Sequence, residues 1–134
     1  METEGSFAPA DAAAVREQYA AAETAAEAVL REFARAVPEA ADRRNDADLH
    51  LTASEAIYAS LLEVHVGTRE EFESYLADCD RPVEEVGSEH VDNVAWHDAP
   101  AADRIVAATF ASEPEAAVGT LRRQAFAKLY REVV

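Results

Sequence analysis

Val91-Asp92-Asn93-Val94-Ala95-Trp96-His97-Asp98, followed after a short break by Arg104-Ile105-Val106-Ala107-Ala108-Thr109-Phe110, sets this chain apart from an all-helical one. The first run alternates. Val94 and Trp96 fall on one face, Ala95 and His97 on the other, which is the period of a strand and not of a helix. The second run is equally strand-like, and Ala99-Pro100-Ala101-Ala102-Asp103 between them has turn chemistry. A lone hairpin is marginal in water, so this one is expected to lay its Val94/Trp96 face on helices. Val83-Glu84-Glu85-Val86, ended by Gly87, is a candidate third strand.

Helical patterns surround the hairpin. Between Pro9 and Val37 the residues Val15, Tyr19, Ala22, Ala26, Val29, Phe33 and Val37 recur every three or four positions, with Leu30 widening the stripe. Pro9 and Asp11 suit the start of this helix and Pro38 its end. Glu27 and Arg31 make an i,i+4 ion pair. Residues 38–51, with the charged run Asp42-Arg43-Arg44-Asn45-Asp46, read as a loop. Thr52 and Glu55 have capping-box spacing, which predicts a second helix to about Val66 with Gly67 as its C′ residue. Thr68 and Glu71 repeat that spacing and predict a third helix bearing Phe72, Tyr75, Leu76 and Cys79, so that the two helices turn sharply at Gly67. Ser112 and Glu115, with Pro114, predict a last helix to about Val133 that buries Val118, Leu121, Ala125, Phe126, Leu129 and Tyr130. The expected fold is therefore α+β and mostly helical: about four helices with a β-hairpin inserted before the C-terminal one. Residues 1–10 read as an extended lead-in and 11–134 as one acidic domain.

Composition narrows the function classes. Acidic residues number 27 against 12 basic, a formal net charge of −15, and Lys128 is the only lysine. Such a surface repels itself at low ionic strength, whereas molar salt shortens the Debye length to about 3 Å. Acid excess with almost no lysine reads as adaptation to a salty cytoplasm. The same charge weighs against nucleic acid and against an anionic membrane as partners. No apolar run approaches the ~20 residues of a membrane span. The 31 alanines and two isoleucines call for closely approaching elements.

No P-loop, glycine fingerprint, CxxC, HExxH or GxSxG motif occurs, and no cofactor is implied. His90 and His97, with Glu89, Asp92 and Asp98 nearby, offer nitrogen and oxygen ligands of a kind that binds divalent metal, although their spacing fits no standard ligand pattern. Packing beside the hairpin is the plainer role for His97. Cys79 lies between Asp78 and Asp80, whose charges oppose a thiolate, so it reads as a core thiol. Arg122, Arg123, Lys128 and Arg131 concentrate basic charge on the last helix, suited to an anion, RNA or an acidic partner. The simpler alternative is pairing with acids of the first helix. The Ala-rich first helix also suits pairing with a second copy, giving a homodimer.

The stretches 61–72 (LLEVHVGTREEF), 94–100 (VAWHDAP) and 121–133 (LRRQAFAKLYREV) resemble those of a small haloarchaeal family of uncharacterised proteins, over most of the chain. The resemblance implies a salt-adapted cytoplasmic protein and brings no activity, ligand or catalytic residue. The leading expectation is a non-catalytic interaction or structural domain, possible homodimerisation and an unknown protein partner included. The alternatives are a small metal- or ligand-dependent enzyme using His90 and His97, and an RNA- or anion-binding module using the C-terminal helix.

Overall fold

The computed structural model describes residues 1–39, 47–88 and 90–134. Among them the elements run β1 (Glu2–Glu4), α1 (Ala12–Ala36), α2 (Ala47–Ser60), β2 (Val64–Thr68), α3 (Arg69–Ala77), β3 (Val83–Val86), β4 (Asn93–Ala99), β5 (Arg104–Phe110) and α4 (Pro114–Ala125), the last continuing as a π-helical turn, Phe126–Tyr130. The chain is α+β and mostly helical, with four α-helices as expected. The hairpin is also there: β4 and β5 pair antiparallel from Asn93/Phe110 to Ala99/Arg104. Its turn ends at Asp103, a non-glycine residue at φ 52°, a conformation the short Asp side chain tolerates.

The hairpin is the centre of a five-stranded sheet, in the order β1-β2-β4-β5-β3. Two of these strands depart from the expected layout. Val64 to Thr68 is not the end of the second helix. It is β2, paired antiparallel with β1 on one side and β4 on the other. Gly67 accordingly sits opposite Val94 in the ladder, and the expected sharp turn between two helices is a helix–strand–helix. The β-branched pair Val64 and Val66, alternating about His65, carries the strand pattern, and the edge of β4 supplies its hydrogen bonds. The segment read as a lead-in is extended and built into the sheet: Glu2–Glu4 forms β1, and the backbone N–H groups of Ser6 and Phe7 donate to the Leu61 carbonyl at 2.8 Å. Gly5, at φ +95°, lies so close to the Leu62 carbonyl that a Cβ would meet it at 2.4 Å.

Caps divide the same way. Asp11 caps α1 through the Ala14 amide at 2.8 Å, and the chain leaves the helix at Val37 before Pro38. Thr68 and Glu71 form the expected reciprocal capping box of α3. The other two boxes do not form. Helix α2 already runs from Ala47, so Thr52 lies in its interior, where Thr/Glu spacing has no capping meaning. In α4 the N-cap is Glu113, with Pro114 in the first turn and no side-chain cap. The loop assigned to 38–51 is helical from Ala47; its charged run at 42–46 lies outside the described residues.

Both faces of the sheet are covered. Ala95, Ala99 and Val106 join Val15, Tyr19, Ala22, Tyr58, Val118, Leu121 and Phe126 in the main core. Val94, Trp96, Ile105 and Ala107 pack with Phe72 of α3 in a second one. The Val94/Trp96 face thus meets only α3, and the larger helical layer lies on the Ala95/His97 face. Trp96 is enclosed by rings, with Phe72 at 4.9 Å, His65 at 5.5 Å and Tyr75 at 5.6 Å between centroids.

Helix α1 outruns this core. Only Val15, Tyr19 and Ala22 belong to the main core, while Ala26, Leu30 and Ala34 are buried outside either cluster. Gln18 accepts from the Tyr58 hydroxyl at 3.3 Å, and Glu27 meets His50 at 3.9 Å, so α1 and α2 run antiparallel. The distal half of α1 forms an arm with the start of α2. There the expected stripe parts company with the structure. Leu30 and Ala34 are buried, whereas Val29, Phe33 and Val37 face outward at 57%, 48% and 38% exposure.

Candidate functional site

Strand β4 carries the chemistry-bearing side chains to opposite faces. His97 is fully buried on the α4 side. Its Nδ1 lies 2.6 Å from the Glu63 carbonyl, which can only accept, so Nδ1 carries the proton and donates. Nε2 is then the acceptor for the Tyr130 hydroxyl at 2.5 Å. Burial holds the imidazole below its usual pKa, outweighing the Glu63 hydrogen bond and the field of Asp98, both of which favour the cation. Burial likewise pushes the Tyr130 phenol well up. Both ring nitrogens are occupied, and the pair ties β4 to the residue that leads into β2 and to the π-helical turn that follows α4.

His90 is in an exposed turn before β4. Its backbone N–H donates to the Ser88 hydroxyl. The structure does not gather it with His97 into a ligand set. Glu89 lies outside the described residues. Among those described, no group of three or more His, Cys, Asp or Glu side chains is placed to hold a metal ion.

The opposite face of β4 holds a polar cluster that sequence reading missed. Arg81 grips Asp98 with two hydrogen bonds at 2.7 Å, and the Tyr75 hydroxyl donates to the same carboxylate at 2.5 Å. Burial acts to raise the Asp98 pKa, but the bonds from Arg81 and Tyr75 outweigh it and hold the carboxyl low. The loop before β3 is thereby fastened to the sheet, a bidentate pair of the stronger kind. Alternation in β4 was the available signal: it places Asp98 on the Trp96 face, towards α3 and the Arg81 loop.

The four basic side chains of the C-terminal helix scatter. Arg122 donates to the Leu62 carbonyl at 2.9 Å beneath β1. Lys128 meets Glu84 of β3 at 3.0 Å. Arg131 meets Glu55 of α2 at 3.2 Å and lies 5.4 Å above the Phe126 ring. Arg123 meets the neutral Thr120 hydroxyl at 3.2 Å. The acids that pair with Lys128 and Arg131 thus come from β3 and α2, not from the first helix. Arg123 and Arg131 line one pocket; Arg122 and Lys128 stand elsewhere.

The outer face of distal α1 is the remaining candidate. Val29 and Phe33 stand one turn apart there, flanked by exposed Ala25 and Ala36. The ion pairs Glu27–Arg31 at 3.5 Å and Glu32–Arg35 at 2.8 Å lie beside it. Over its whole length α1 has four carboxylates against three guanidiniums, near balance in a chain of net −15.

No helix among the described residues is long and apolar enough to cross a membrane. No curated protein and no solved structure matches the chain. A family model does match it, over residues 6–131, and so the chain belongs to DUF5809, a family of unknown function.

Proposed function

We propose that this protein is a non-catalytic interaction domain of a salt-adapted, haloarchaeal-type cytoplasm, and that it works by pairing with a second copy through the distal half of α1. The carrying observation is the exposure of Val29 and Phe33 at 57% and 48% on an arm that lies outside both hydrophobic cores. Two adjacent large apolar side chains in water are an unused burial of about 1.5–3 kcal/mol each. Charge selects the occupant. Two copies of a chain at −15 repel each other through their acidic surfaces, and the near-balanced α1 adds little to that repulsion. Ala25 and Ala36 beside the apolar pair allow two helices to approach closely.

Sedimentation equilibrium in concentrated KCl tests the pairing. A monomer–dimer equilibrium is expected for the wild-type chain, and Phe33→Glu should be monomeric with an unchanged circular dichroism spectrum. A wild-type chain that stays monomeric at the highest concentration, or a dimer indifferent to Phe33→Glu, overturns it. Salt adaptation has its own test. Dilution of KCl lengthens the Debye length from about 3 Å at 1 M to about 10 Å at 0.1 M. The melting temperature should fall with it, and a flat response contradicts the salt-adapted reading.

A further inference from the structure

The pocket between α2 and α4 is lined by Glu55, Ala56, Ala59, Arg123, Phe126 and Arg131. Its volume is about 190 Å³. Pockets for drug-sized ligands run to about 300–1,000 Å³, so an occupant here is small. Its lining holds two guanidiniums and one carboxylate. Glu55 already engages Arg131, which leaves the lining one positive charge in excess. Arg123 carries that excess: among the described residues its partner is a neutral hydroxyl, in a chain where acids outnumber bases 27 to 12. A cation that remains without a carboxylate amid such an excess of carboxylates is available to an incoming anion.

A second feature adjoins two of the lining residues, Phe126 and Glu55. The Tyr19 ring stacks 6.4 Å from Phe126 at 16°, and its hydroxyl, on a side chain only 7% exposed, has no hydrogen-bond partner among the described residues. Buried hydroxyls normally find a partner. The phenol's pKa is raised by burial and then by the carboxylates of Glu55 and Glu23, so it remains a donor. Glu55, the pocket's own acid, is therefore within electrostatic reach of this unpartnered donor.

We infer that the pocket binds a small aliphatic monocarboxylate. The carboxylate bridges Arg123 and Arg131, and the apolar body rests on Ala56, Ala59 and the Phe126 ring. Glu55 sets the charge limit, because a doubly charged anion such as phosphate meets its repulsion while a single carboxylate is matched by the lining's net charge. The site shares no residue with the Val29/Phe33 face, so Phe33→Glu should leave it intact.

Titration calorimetry with butyrate, acetate and inorganic phosphate, at one ionic strength held by KCl, tests the assignment. Saturable one-to-one binding of butyrate, tighter than that of acetate, is expected. Arg123→Gln should weaken it at least tenfold, the loss of one charged hydrogen bond. Ala56→Glu, which adds a carboxylate at an exposed position of the wall, should abolish it, and Arg104→Gln, outside the pocket, should not change it. Absence of saturable butyrate binding to the wild-type protein overturns the site. So does equal binding by the wild type and Arg123→Gln. Tighter binding of phosphate than of butyrate overturns the ligand class.

Discussion

Between Val15 and Ala22, α1 lies in the main core against α2, α4 and the sheet; between Val29 and Val37 the same three-and-four spacing of apolar residues faces outward. The difference is not in the helix. It lies in what the rest of the chain provides as a surface to pack on. A 25-residue helix spans about 37 Å, more than a sheet of short strands and a 12-residue α4 can cover. Apolar periodicity specifies a face, and the partner for that face is a separate fact, set here by the reach of the other elements.

Two phenylalanines separate the halves by the largest margin. Phe126→Ala, at 2% exposure under the proximal half, should lower the unfolding free energy by about 3–5 kcal/mol. Phe33→Ala, in protein dilute enough to be monomeric, should change it by no more than about 0.5 kcal/mol. Chemical denaturation of the pair measures both, and equal losses would erase the distinction between core and arm. Within the arm, neighbouring residues repeat the contrast on a smaller scale. Leu30→Ala, at a side chain only 7% exposed, should cost about 2–3 kcal/mol, while Val29→Ala stays within about 0.5 kcal/mol.

Acid probes the core end alone. His97 is held neutral when folded, with its pKa below the ordinary 6.5, so the unfolded chain binds the extra proton. Stability is complete above about pH 6.5 and is lost as the pH falls from there towards the folded value, at up to about 1.4 kcal/mol per pH unit. His97→Leu removes this slope. At pH 8 it should cost about 1–3 kcal/mol, since the Glu63 carbonyl and the Tyr130 hydroxyl lose their partner. Unfolding followed across pH for both proteins checks the sign, and identical slopes would mean that His97 does not titrate on unfolding. The smallest effect belongs to the arm's surface. Glu27→Gln should cost only about 0.3–0.5 kcal/mol, because its i,i+4 pair with Arg31 is solvent-exposed on both sides.

The hairpin, the first helix and the Thr68/Glu71 box were legible because each rests on a local pattern that the chain obeys where it stands. The second and last helices were found with the wrong caps, because Thr52/Glu55 and Ser112/Glu115 share the box spacing without forming the box. Strand β2 was not legible. Val64-His65-Val66 follows directly on a helix and is too short for periodicity to separate from that helix's last turn, so its strand state depends on β4, thirty residues away. Strand β1 has the same cause: Glu2-Thr3-Glu4 carries no apolar signal and is ordered by pairing with β2 and by the Met1 ammonium on Glu71. Of the site residues, the basic cluster was visible as composition. Its division into a pocket pair, Arg123 and Arg131, and two structural cations was not, because Leu62, Glu84 and Glu55 come from three separate stretches of the chain. The exposure of Val29 and Phe33 was hidden for the reason already given: the spacing is that of a buried face.

Amide chemical shifts of the ¹⁵N-labelled protein, followed from millimolar to micromolar concentration in concentrated KCl, test the pairing of copies at the level of single residues. Concentration-dependent shifts should be confined to the outer face of distal α1, with Val29, Phe33 and Ala36 changing most. Spectra that do not change on dilution, or changes centred on β3 or α3, would contradict it.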